Sequence, residues 1–257
     1  MYITVDVGET KMRIAKTDDL ERFDEPLITH TPPDLKDLIE HLANTVKGIS
    51  NGGRIDGVIV GKPIWKSRPS FEKDLQARIN APLHIENDTA LVGLGEATNG
   101  AGKGVRICMY VTVSTGVNGA RIVDGKIDIS KQGFEIGGQY LSIGETPTTF
   151  EQMVSGKAIS ERFKVESPKD LGKDHAVWEE LSRTVAFGVH NSILHWSPER
   201  VVLGGSMFNE IGISVDRVRA HVAEVMKKFP NVPEIVHSQL GDFGGLWGGM
   251  TRLKQLH

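Results

Sequence analysis

Three consecutive polar residues, Glu86, Asn87 and Asp88, interrupt the stretch HIENDTALVGLGEA between an apolar run and the start of a helical pattern. One side-chain oxygen is enough to cap a helix, and Asp88 alone could supply it. A carboxylate beside an amide can also accept a hydroxyl proton and fix which hydroxyl is presented, the two tasks needed when a phosphoryl group moves to an alcohol. Planar polar groups that bind two hydroxyls at once suit sugars. Glu135 in GFEIGG and Glu151 in TTFEQM are further candidates for that task, or ordinary exposed residues on turns.

Phosphoryl transfer needs a phosphate cradle, and the turn DVGETK has the parts of one. Gly8 lets backbone N–H groups approach an anion, Thr10 and Lys11 add a hydroxyl and a positive charge, and Asp6 at the strand end can hold Mg²⁺ through water. A glycine at a hairpin tip also serves as a plain turn. A second tip, VSTGVNGA, repeats the pattern with Ser114, Thr115, Gly116 and Asn118. Two such tips can clamp a triphosphate from both sides, and positioning is most of the catalytic power in this chemistry. In LGGSM an apolar strand stops at Gly204 and Gly205, where the carboxyl end of a central strand can offer an edge for adenosine. A helix cap by Ser206 accounts for the same segment.

The surrounding pattern alternates strands and helices. MYITVDVGETKMRIAKT reads as strand, glycine turn, strand; PDLKDLIEHLANTVKGI as an amphipathic helix; DGVIVGKP as a strand buried on both faces. SFEKDLQARI, with Phe71, Leu75 and Ile79 every fourth residue, reads as a short helix, APLHI as a strand, and residues 88–97 as a helix. Beyond NGAGKG at 99–104 the pattern restarts. RICMYVTVSTGVNGARIVDGKID is again strand, turn, strand, with an Asp124-Gly125 turn into a third strand. Two glycine-tipped hairpins, each opening an α/β half, imply an internal duplication. DHAVWEELSRTVAFGVHNSILHW then reads as a long helix, ERVVLGGSM as a buried strand and GLWGGMTRLKQL as a terminal helix.

Composition narrows the partners. The chain has 257 residues, enough for a substantial core, and a formal charge of -3 with no like-charge block to attract nucleic acid or a membrane surface. Cys108 is the only cysteine and lies in an apolar run, where it reads as a buried thiol. No apolar stretch approaches the length of a membrane span, and the N-terminus starts directly on a strand pattern, so a cytoplasmic protein is expected.

In its order of motifs the chain resembles the ROK family of sugar kinases, in the actin-like ATPase superfamily with hexokinase. The resemblance runs from DVGETK through IENDTALVGLGEA, STGVNGARIVDGK, FEIGG, FEQMVSGKAI and PERVVLGGSM to LGDFGGLWGGM. It implies a duplicated RNase-H-like α/β fold of two domains with an interdomain cleft, closing over ATP·Mg²⁺ and a hexose. The expected bounds are 1–104 for the N-terminal domain, 105–245 for the C-terminal domain and 246–257 for a terminal helix packing back on the first. It implies Asp88 as general base on the sugar's 6-hydroxyl, with Asn87, Glu135 and Glu151 on other hydroxyls and Gly61 in the sugar-side loop. Asp6, Gly8, Thr10 and Lys11 resemble the first phosphate loop, Thr115 and Gly116 the second, and Gly204 and Gly205 the adenosine motif; Glu86 is left as structural, pointing away from the sugar.

The departures from the family pattern are equally specific. Gly138 stands where the family has a His closing its GEIGH block, Phe134 replaces a small residue, and QYLSIGETPTT replaces a cysteine-rich stretch, so no structural zinc is expected. VGKPIWKSRPSFEKD is shorter than its counterpart, which implies a more open sugar-side loop. Family repressors carry an N-terminal DNA-binding domain, and this chain begins at the phosphate loop. The expectation is a homodimeric hexose kinase, glucose first, then fructose, mannose or an N-acetylhexosamine. A silent sugar or nucleotide sensor is the alternative.

Overall fold

The computed structural model describes residues 1–62, 69–209 and 211–257, and these divide into two units, Met1–Asn99 with Asp242–His257, and Gly100–Gly241. In the first unit, β1 (Tyr2–Val7) and β2 (Lys11–Thr17) form the glycine-tipped hairpin, and β3 (Leu27–His30) pairs with β2. The sequence reading leaves β3 unassigned, because Leu27 and Ile28 are exposed and give no alternation. Helix α1 (Leu35–Ser50) starts where the Asp34 side chain accepts from the N–H groups of Lys36 and Asp37, and ends at Asn51 in the left-handed conformation. Then come β4 (Gly57–Lys62), α2 (Pro69–Gln76), β5 (Leu83–Asn87) and α3 (Asp88–Asn99).

Helix α2 stops short of the expected Ile79. The Gln76 side chain donates instead to the carbonyls of Ile79 and Ala81, 3.1 and 2.9 Å away, and pins an irregular link into β5. The sheet order is β3-β2-β1-β4-β5, with β1, β4 and β5 parallel. Ile3, Val5, Val7, Val58 and Val60 from the central strands meet Leu38, Leu42, Phe71 and Leu75 from the helices in one core.

The second unit opens with β6 (Ile107–Val113), β7 (Val117–Val123) and β8 (Lys126–Ile127). Asp124 and Gly125, both at positive φ, make the tight turn between β7 and β8. The segment carrying QYLSIGETPTT forms the small pair β9 (Tyr140–Ser142) and β10 (Thr148–Thr149). Helices α4 (Phe150–Val154), α5 (Gly156–Phe163) and α6 (Val177–Trp196) precede β11 (Arg200–Gly204), α7 (Val215–Val225) and β12 (Glu234–His237). The sheet runs β12-β11-β6-β7-β8. Strand for strand this repeats the first unit: an antiparallel hairpin with a third strand on one side, two parallel strands on the other. The duplication implied by the two hairpins is therefore a repeat of whole-sheet topology.

The last helix, α8 (Gly244–Leu256), belongs to the first unit and crosses α3 against β1 and β4. Glycine permits the crossing: a Cβ on Gly248 would overlap the carbonyl of Leu91, and one on Gly95 that of Gly244. Among the described residues no helix is long and apolar enough to cross a membrane.

Candidate functional site

In the first unit the polar residues gather where the parallel strands end. Asp6 of β1 is level with Gly61 of β4, and Gly61 with Glu86 of β5. Asp88 is the first residue of α3, immediately after that edge. A Cβ on Gly61 would stand 2.9 Å from Leu91 Cδ1 and 3.5 Å from Asp88 Cα, so glycine here lets the first turn of α3 lie on β4. Residues 63–68 of the expected sugar-side loop lie outside the described residues.

The cap of α3 is Asn87, not Asp88, which the sequence also allows in that place. Asn87 Oδ1 accepts from Ala90 N at 2.9 Å, three residues on, as a capping side chain does. Its Nδ2 donors have no partner among the described residues. Asp88 Oδ1 accepts from Thr89 N at 2.7 Å. Glu86 accepts from Asn87 N and stands 3.7 Å from Arg252 Nε, so it ties β5 to the C-terminal helix.

Asp6 is buried and ringed by charge. A Cβ on Gly245 would lie 2.6 Å from Asp6 Cγ, which places the carboxyl against the first turn of α8. Arg13 faces Asp6 across the hairpin and pairs with Asp242 at 2.9 Å, while its buried Nε has no hydrogen-bond partner among the described residues. Burial pushes the Asp6 carboxyl from 3.8 up to about 7; the Asp88 charge adds to the rise, Arg13 opposes it and Asp242 adds again. An acid raised in the folded state holds its proton more tightly there than in the unfolded chain. Its stabilising share is complete below the unfolded value and disappears as pH climbs to about 7. Asp6→Asn should therefore match the parent in stability at pH 4 and exceed it at pH 8 by up to about 4 kcal/mol. Thermal melts without divalent cation or nucleotide read this, and a difference independent of pH refutes it.

The first turn is braced from below. Gly8 N donates to Lys11 O at 3.0 Å, and a Cβ on Gly8 would stand 2.8 Å from that oxygen. Thr31, buried and unmarked by any motif, donates its N–H to Thr10 O and its hydroxyl to Gly8 O, each at 3.0 Å. With those carbonyls occupied, Thr10 and Lys11 keep exposed side chains, but so does Glu9 just before them, which balances the Lys11 charge.

In the second unit, Ser114 N donates to Gly116 O at 2.8 Å and closes the second turn. Glu151, near the start of α4, accepts from Val117 N at 2.8 Å through Oε2, and a Cβ on Gly116 would come within 2.7 Å of the same oxygen. Glu151 is thus a strut under the turn as well as an exposed carboxylate, a role its sequence context did not signal. Glu135, also exposed, accepts from Asn118 Nδ2 at 3.3 Å. Gly204 ends β11 with Tyr110 Oη 2.7 Å from where its Cβ would be, and Gly205 follows at φ 96°. Ser206 caps nothing: it opens a 3-10 turn and its hydroxyl meets that of Ser114 at 3.1 Å, so the second turn and the Gly204–Gly205 turn are bonded neighbours. Beside Glu135, Gly138 is exposed and a Cβ there meets nothing.

The ROK family model matches residues 2–255. A glucokinase of Streptomyces coelicolor is 24% identical, with 96% of each chain covered. A fructokinase of Pediococcus pentosaceus is 24% identical over 74% of this chain and 69% of its own. Among solved structures, a ROK family glucokinase from Streptomyces griseus in complex with glucose and AMPPNP superposes with a TM-score of 0.80, 21% identity and 99% coverage of both chains. That likeness establishes the actin-like ATPase fold.

Proposed function

The chain belongs to the ROK family, and from that premise we propose that it is an ATP-dependent kinase that phosphorylates the 6-hydroxyl of a hexose, with glucose the first acceptor to test. The observation that carries the reading is Asp88 on the first turn of α3, just beyond strand ends that present Asp6 and Gly61. In this role the Asp88 carboxylate accepts the proton of the sugar hydroxyl as its oxygen bonds to the γ-phosphorus of ATP, and the bond from that phosphorus to the β-phosphate oxygen breaks to release ADP. Asn87 Nδ2, Glu135 and Glu151 hold the remaining hydroxyls. Thr10 and Lys11 on the first turn, Thr115 and Gly116 on the second, meet the phosphates, and Gly204 and Gly205 meet adenosine.

Mg²⁺ bound with ATP neutralises phosphate charge. Asp6 would hold it through water, and the fit is good: a buried carboxyl crowded by Asp88 and Asp242 is eased by a hard cation with oxygen preference. The relatives named glucokinase and fructokinase support a sugar acceptor. A coupled assay with ATP·Mg²⁺ over glucose, fructose, mannose and N-acetylhexosamines tests the proposal: one clear substrate supports it, and folded protein with no turnover on any refutes it. A second reading, a sensor that binds without turnover, draws on Gly138, which offers no side chain beside Glu135. Calorimetric binding of sugar and ATP without product distinguishes it.

A further inference from the structure

The second turn, Ser114–Thr115–Gly116, carries no charge of its own, and on the first turn Glu9 offsets Lys11. A polyphosphate held by the second turn therefore needs a cation from an adjoining element. Two consecutive residues at the start of α5 are fastened to the second turn: Gly156 N donates to Ser114 O at 2.7 Å and Lys157 N to Thr115 O at 3.4 Å. The approach is close, since a Cβ on Gly156 would stand 3.0 Å from Ser114 O. Ser155 caps the helix by accepting from Ala158 N, so this first turn is fixed in place. Lys157 is exposed and unpaired among the described residues. Its main chain is bonded to the turn, and its flexible four-carbon stem can bring an ammonium over it.

We propose that Lys157 is a phosphate-binding residue of the second unit, contacting the polyphosphate of the nucleotide beside Thr115 and Gly116. The proposal rests on the kinase reading above and adds a residue to it. A point charge of this kind distinguishes ligands by phosphate number, which a brace for the fold does not.

The test is calorimetry on the full chain with ATP·Mg²⁺, ADP, AMP and inorganic tripolyphosphate, for the parent, Lys157→Ala and Lys157→Arg. Lys157→Ala should weaken ATP and tripolyphosphate about tenfold, ADP less and AMP not at all, and Lys157→Arg should recover most of the loss. The deficit should shrink as salt is raised. Parent-like ATP affinity in Lys157→Ala, or an equal loss for AMP, overturns the proposal while the kinase reading stands. A folded parent that binds neither ATP nor ADP overturns both.

Discussion

Asp88→Asn should yield a folded protein that binds ATP and sugar within about threefold of the parent and turns them over at least ~10²-fold more slowly. Folding is preserved because the helix is capped by Asn87 through Ala90 N, and asparagine at 88 keeps an oxygen for Thr89 N. Binding is preserved because the amide can still hydrogen-bond a hydroxyl. Only the capacity to take up its proton is lost, so the effect falls on kcat and leaves KM nearly unchanged. Steady-state kinetics in the coupled assay, with a thermal melt as control, measures both. An unchanged kcat removes Asp88 from the base role. The same variant removes one of the charges that raise Asp6, so the pH at which Asp6 ionises should fall as well.

The hairpins, the buried strands and the glycine turns were legible in the sequence because each depends on contacts close along the chain. Continuous apolar runs mark β1 and β4, apolar residues three and four apart mark α1 and α6, and the paired tips Gly8 and Gly116 expose the duplication. What escaped depends on contacts distant in sequence. Thr31 braces the first turn from beyond β2, Asp242 reaches Arg13 from the far end of the chain, and Glu151 supports a turn thirty-four residues earlier. Arg13 could have been found: once Gly8–Lys11 is taken as the tip, counting outward pairs Val7 with Met12 and Asp6 with Arg13. The cap is not legible because Asn87 and Asp88 are both good capping residues, and only the Ala90 N–H, which donates to Asn87 Oδ1, decides between them. Edge strand β3 escaped because exposed apolar residues on a short strand leave no pattern.

Gly248→Ala should be the most damaging single methyl in the first unit, costing about 3 kcal/mol or more and lowering Tm by on the order of 10 °C. The added Cβ would overlap the Leu91 carbonyl and stand 3.0 Å from Gly95 N, and neither neighbour is a side chain that can swing aside. Relief requires α3 and α8 to separate. That displacement reaches the site from two directions, because α3 begins at Asp88 and the first turn of α8 lies on Asp6 through Gly245. Turnover should therefore fall at temperatures where the variant is still folded. Gly48→Ala is the control for helix propensity: it sits exposed in α1, a Cβ there meets nothing within 4 Å, and the change should stabilise by about 0.5–1 kcal/mol. Thermal melts and kcat on the two variants, side by side, separate the cost of overlap from the gain of alanine. A Gly248→Ala protein as stable as the parent would mean that the helices can part freely, and the close crossing would then have no bearing on where Asp6 and Asp88 are held.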